Sequence, residues 1–284
     1  MSFTAQIGQL TGSASSNDAT TIAQALENAT AEFIQKISQI NPDLLYSMAS
    51  DSSIASNDDG NLEFSKNSII LNVYRNFSSK KYNATRMDIK YQSQVQDVDS
   101  IYYADDLTPV YVFDGNKIQI YPAPDTSSGK TAYVTRVVPG AINDNSESIA
   151  NMPSLYHPQI VRIASYNVLL QRLGSLRDTM YTEYNDAINK AKALVDDASQ
   201  LTTGTEDVEY WLKEEDPEMI SSTLSTASQE IQRASAVAGK FNSDYQWMQN
   251  QLALIKQEIN ETYQSYSSAP VQTDIGRLGV GTWN

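Results

Sequence analysis

Between Leu224 and Ile259 the apolar residues return after three and then four positions without interruption. They are Leu224, Ala227, Ile231, Ala234, Ala238, Phe241, Tyr245, Met248, Leu252, Ile255 and Ile259. A sustained a/d heptad of this kind keeps one stripe turned toward a partner helix, so it predicts a coiled-coil-like seam. A helix over 217–267 would be a rod of roughly 75 Å at about 1.5 Å per residue, too long to hide inside a compact domain. Part of it must project or lie along a neighbour. Alanines on the seam permit close approach, and Gly239 is a point at which the rod could bend. Two partners fit the seam equally well: residues 176–201 of the same chain, or another subunit.

The remainder divides by pattern. Residues 1–18 are small and polar with no period and are expected to form a flexible arm. A helix is expected over 19–43, capped by Asp18, striped by Ile22, Leu26, Ala29, Phe33, Ile37 and Ile40, and ended by Pro42. From 44 to 140 the period falls to two. NSIILNVYRNF, DIKYQSQVQ, SIYYA, PVYVFDGNKIQIYPAP and KTAYVTRVV read as strands of a small antiparallel meander, with Asp114-Gly115-Asn116 as a hairpin turn.

Residues 141–205 return to helices. Ser154 is placed as an N-cap and Pro158 falls in a first turn, followed by Ile160, Val161, Ile163, Ala164, Val168 and Leu169 nearly all round, which predicts a buried helix. Beyond Gly174 a second face carries Met180, Tyr184, Ala187, Ile188, Ala191, Leu194, Val195 and Ala198, either as the return arm of a hairpin or as one kinked helix. Residues 206–267 comprise an acidic linker and the rod. The linker holds Glu206, Asp207, Glu209, Glu214, Glu215, Asp216 and Glu218 against Lys213 alone, with Trp211 and Leu212 as its expected anchors. It is either a solvated connection or a face for a partner. In the last segment, 268–284, Ile275, Leu278, Val280 and Trp283 stand among glycines and polar residues, which is expected of an arm that docks on a partner surface. The expected fold class is α+β: mainly a helical bundle, with a small antiparallel β insertion, a long C-terminal coiled-coil-like helix and an extended C-terminal arm.

Composition narrows the chemistry. The 284 residues contain no cysteine and one histidine, so thiol catalysis, disulfides, Cys/His zinc sites and Ser-His or Cys-His pairs have nothing to draw on. His157 stands before Pro158 at a helix start and reads as a capping or packing residue. Gly129-Lys130-Thr131 resembles the end of a phosphate loop, but Pro124 occupies the position where the first glycine belongs. Asn57, Asp58, Asp59, Asn61 and Glu63 supply hard oxygens without EF-hand spacing and read as a turn. No enzyme activity, catalytic residue, metal or cofactor is therefore expected. The formal net charge of −14 has the wrong sign for gripping phosphate backbones. Ser, Thr, Asn and Gln make up 93 of the residues, a surface composition suited to assemblies and extracellular particles. The first eighteen residues lack the basic and apolar regions of a secretory signal, and no run approaches the length of a membrane span.

The strand KIQIYPAP, the strand KTAYVTRVVPGAI, and NMPSLYHPQIVRIASYNVLLQRLG leading into helices lie at roughly 117–174, after an N-terminal helix. In that order they resemble the head-to-tail connector, or portal adaptor, proteins of tailed bacteriophages. The resemblance implies a structural virion protein made in the host cytoplasm and located in the neck. It implies a homo-oligomeric ring, commonly of twelve copies, between the portal protein and tail or nozzle proteins, with DNA passing through the lumen and no membrane partner. An acidic ring would repel the DNA backbone and let it slide. A flagellin-like filament or surface protein is the competing class, although the N-terminal helical run is far shorter than the C-terminal one. A carboxylate-based hydrolase is a third.

Overall fold

The computed structural model describes residues 1–12, 19–54, 68–115, 117–125, 129–144, 147–195 and 207–268. The chain is an α+β protein. It divides into two compact units: Met1–Ile7, Ser16–Ala164 and Ile259–Asn284 in the first, Gly8–Ser15 and Ser165–Glu258 in the second. The helices are α1 (Phe3–Thr11), α2 (Ala19–Ile40), α3 (Gln92–Val95), α4 (His157–Val195), α5 (Val208–Lys213) and α6 (Pro217–Ser268). The strands are β1 (Ser50–Ile54), β2 (Ile69–Phe77), β3 (Lys80–Asn83), β4 (Thr85–Arg86), β5 (Val110–Asp114), β6 (Lys117–Tyr121), β7 (Ala132–Val137), β8 (Ile142–Asn143) and β9 (Ser148–Ile149). No helix among the described residues is long and apolar enough to cross a membrane.

In the first unit two sheets share a core. One has the order β1-β7-β2-β3 and the other β4-β5-β6. Ile54, Val73, Ala132 and Val134 from the first meet Ile118 and Ile120 from the second. The expected meander is corrected here: β7 inserts between β1 and β2, and the two-residue β4 runs parallel to β5. Two of the expected strands are corrected as well. Within DIKYQSQVQ the chain forms a 3-10 turn at Ile89–Tyr91 and then α3, and SIYYA is a series of turns. Asp and Ser side chains in these stretches bond nearby backbone amides, and that competes with a ladder. The outer face of the first sheet is polar and self-satisfied. The Asp51 carboxylate accepts hydrogen bonds from Thr135 Oγ1 (2.6 Å) and the Tyr74 hydroxyl (2.8 Å). These bonds hold its carboxyl below the usual carboxylate range, while burial pushes the Tyr74 hydroxyl up to about 12.

Helices complete the first unit. Phe33 of α2 contacts Tyr156 (ring centroids 5.4 Å), Tyr263 (6.3 Å) and Tyr266 (6.1 Å), so the middle of α2, the approach to α4 and the end of α6 meet in one aromatic cluster. Gln159 donates to the Ile259 carbonyl (3.2 Å) and Asn41 to that of Tyr266 (3.2 Å), which fixes the axial position of the last turns of α6. His157 packs edge-on against Phe3 at 5.4 Å, a packing role.

The first eleven residues overturn the expectation of a flexible arm. Phe3, Ile7 and Thr11, spaced by four, are all buried on one face of α1, and Asp144 accepts from the Thr4 amide (2.8 Å). Residues 13–18, including the expected cap Asp18, lie outside the described residues. The other end of α1 belongs to the second unit. There Arg172 donates to the Thr11 carbonyl (3.1 Å), and Gly12 turns the chain with φ +66° against Trp247.

Through Gly174 α4 runs as one helix, the second of the two expected alternatives, and not as a hairpin. At the start of α4, residues 154–156 form a 3-10 turn without the side-chain cap expected of Ser154. Asp186 of α4 pairs with Arg233 of α6 at 2.7 Å, while Arg172 and Trp247 both reach the Thr11–Gly12 corner. Advancing along α4 therefore means receding along α6, and the two pair antiparallel within the chain. The acidic linker supplies caps: Asp207 accepts from the Tyr210 amide at the start of α5 (2.7 Å), and Asp216 from Glu218 and Met219 at the start of α6 (3.1 Å each). Leu212, expected to anchor the linker, is exposed; Asp207 and Val208 are buried.

Two outcomes test this description. A Cβ at Gly12 would lie 2.8 Å from the Trp247 ring in a left-handed backbone. Gly12→Ala should thus cost on the order of 1–2 kcal/mol, read as a thermal midpoint lowered by several degrees. The Asp51 bonds contribute stability in full above the ordinary carboxylate pKa of 3.8, and this is lost as pH falls through the lowered folded value. In melts from pH 2 to 7, the deficit of Thr135→Val should be largest near neutrality and shrink below pH 3.8.

Candidate partner-docking surface

Arg75, on β2, is 1% exposed and points into the end of the two-sheet core. A guanidinium so placed needs acceptors on several sides. It donates to the carbonyls of Pro122 and Ala123, the latter at 3.3 Å, at the end of β6, and it pairs with Asp106 at 3.0 Å. Asp106 also holds Lys130 Nζ at 2.7 Å, and that ammonium lies over the Phe77 ring. One buried cation thereby joins the first sheet, the second sheet and the segment leading into β5.

That segment, 96–109, is tied down at every turn. Its root is apolar: Val95 and Ala104 are buried against Val110, Val112 and Tyr121 of the second sheet. The Ala104 amide bonds the Val95 carbonyl (3.0 Å), and the Tyr91 and Tyr102 rings pack at 4.7 Å. Asp97 accepts from the Asp99 amide (3.1 Å) and Ser100 Oγ from the Tyr102 amide (3.1 Å). One Asp105 oxygen takes the amides of Leu107 (2.8 Å) and Thr108 (2.6 Å) and the Thr108 hydroxyl (2.8 Å). These bonds, those from Thr108 first, hold the Asp105 carboxyl below its usual range. The fixed backbone nonetheless turns aliphatic side chains outward. Ile101 is 91% exposed, Val98 70% and Leu107 55%.

A recess lies nearby in sequence. Arg86, Met87, Asp88, Ile89 and Phe113 line an open groove of about 440 Å³, in which the Arg86 guanidinium lies 4.7 Å over the Phe113 ring. Asp88 is engaged by Lys90, through its amide (3.2 Å) and its ammonium (3.4 Å).

A third apolar exposure lies on α6. Of the expected seam, Ala227, Ala234, Leu252 and Ile255 are buried, whereas Leu224, Ile231 and Tyr245 are exposed. From 224 to 245 the flank of Ala227 and Ala234 is buried while Leu224, Ile231 and Tyr245 on the other flank are exposed; at Leu252 and Ile255 both flanks are buried.

Among the described residues no group of three or more His, Asp or Glu side chains could hold a metal ion. The turn at Asn57–Glu63 lies outside the described residues, as do Ile275, Leu278, Val280 and Trp283, the residues expected to dock on a partner. Of the exposed aliphatics in 97–107, Ile101 lies in SIYYA, which reads as a strand, and Val98 and Leu107 lie outside any expected element; the signal for local turns is Asp or Ser at Asp97, Asp99, Ser100 and Asp105. No protein-family model, curated protein or solved structure matches this chain.

The anchor has a testable asymmetry. Asp106→Ala leaves a buried guanidinium without its anion and should cost about 3 kcal/mol or more. Lys130→Ala removes a half-exposed cation and should cost about 1 kcal/mol or less. Urea unfolding of both variants checks the difference.

Proposed function

We propose that this protein is a structural subunit of a neck ring in a tailed bacteriophage, an adaptor between the portal vertex and the tail. The observation that carries this reading is the segment 97–107, which holds Val98, Ile101 and Leu107 in solvent on a fixed backbone. Such side chains gain free energy only when a further surface covers them. The exposed Leu224 and Ile231 on α6 support an assembly in the same way. A net charge of −14 suits a lumen through which DNA slides without adhering. A flagellin-like protein would pair its late seam with a comparable N-terminal helix, but α2 has 22 residues against 52 in α6, and α6 has α4 as its partner in the second unit.

On this proposal the family resemblance supplies the copy number of twelve and the neighbours, portal protein on one side and tail or nozzle proteins on the other. The arm with Ile275, Leu278, Val280 and Trp283 docks on the portal or on an adjacent subunit, and no residue has a catalytic role. Negative-stain images of the protein, alone and with a portal, test the reading. Rings with an open lumen are expected, coaxial with the portal. A chain lacking 269–284 should melt at the same temperature and fail to attach. Particles without a lumen, or full attachment by the truncated chain, would count against the proposal.

A further inference from the structure

We infer that segment 97–107 of one copy seats in the groove formed by Arg86, Met87, Ile89 and Phe113 of a second copy, so that identical subunits join head to tail. The inference rests on the ring reading above and names the contact that would build it.

The sheet itself separates the two surfaces. In the β5–β6 register Val112 stands beside Gln119 and Phe113 beside Ile118. Successive residues of a strand point to opposite faces. Val110 and Val112 carry the root of the segment through Val95 and Ala104, while Tyr111 and Phe113 turn to the other face, toward the core shared with the first sheet. The segment is therefore rooted on one face of β5, and the Phe113 wall of the groove belongs to the other. A projection and a recess that use opposite faces of one element suit a heterologous contact, which makes a ring when its rotation closes.

The chemistry is complementary. The groove offers Met87, Ile89 and Phe113 to aliphatic side chains beside the Arg86 guanidinium, and Lys90 pairs with the Asp88 that lines it. The segment brings Val98 and Ile101, flanked by Asp97 and Asp99. Asp88, the groove's own acid, is already held by Lys90, while Arg86 lies over a ring. Incoming carboxylates would therefore meet cations and not a bare anion. The segment's turns are fixed by hydrogen bonds before docking, which lowers the ordering cost of association.

The absence of native cysteine makes the test direct. Ile101→Cys and Ile89→Cys are prepared as separate proteins, one carrying a mass tag, then mixed and oxidised, with Leu155→Cys as the background for an exposed site elsewhere in the first unit. Disulfides joining Ile101→Cys to Ile89→Cys should exceed either same-variant dimer and the background at least tenfold, and Ile101→Asp should weaken assembly of the full chain at least tenfold. Same-variant disulfides at Ile101→Cys, or mixed disulfides at background level, overturn the inference. If rings are imaged in that second case, the ring reading stands and this contact alone is wrong; if no assembly forms at any concentration, both fall.

Discussion

A cation withdrawn from water must keep its acceptors, and Arg75 imposes that condition on the first unit. Its guanidinium meets the Pro122 and Ala123 carbonyls at the end of β6 and the Asp106 carboxylate ahead of β5. Removing an ion of this size from water costs several kcal/mol unless its partners are correctly placed, so both sheets and the intervening segment are held to one arrangement. An all-apolar core could have packed the sheets as tightly without fixing segment 96–109. The buried pair fixes it, and Val98, Ile101 and Leu107 can then face solvent without the segment collapsing onto the core.

The helical parts follow a different rule, in which apolar surface finds cover wherever a neighbour is available. At its end, α6 is clamped by Phe33, Tyr156 and the Asn41 and Gln159 side chains, and burial pushes the Tyr263 and Tyr266 hydroxyls above their ordinary values. In the second unit α6 has α4 beside it, joined through Asp186 and Arg233. One neighbour covers one flank of a heptad stripe. Ala227 and Ala234 are accordingly buried, while Leu224 and Ile231 keep much of their surface in water.

Much of this was legible in the sequence where a single period ran far enough to override local preference. The heptad run placed α6 almost to the residue, from Pro217, and Ile22, Leu26, Phe33 and Ile37 marked α2. The hairpin between β5 and β6 followed from Asp114-Gly115, with Gly115 at φ +58°. Short elements were harder. Phe3 and Ile7 carry the spacing of a helix face, but two apolar residues in a polar stretch are too weak a signal, and α1 depends on burial against His157 and capping by Asp144 from far along the chain. Ala132 and Val134 alternate as in any half-buried strand, so the insertion of β7 between β1 and β2 had no local mark. In 97–107 Tyr and Ile favour strands, whereas the Asp and Ser side chains around them decide the backbone through bonds at two- and three-residue range. The docking residues expected from sequence, Ile275, Leu278, Val280 and Trp283, lie outside the described residues, and the exposure of Ile101 on a hydrogen-bonded backbone has no sequence signature of its own.

On the proposed reading the chain is a ring subunit whose outward aliphatics meet other copies. Sedimentation equilibrium of the full chain across a wide concentration range tests it most directly. A discrete species is expected whose mass is a fixed multiple of 31.4 kDa, close to twelve copies, with no larger series. A monomer at every concentration, or an open-ended ladder of ever larger polymers, would contradict it.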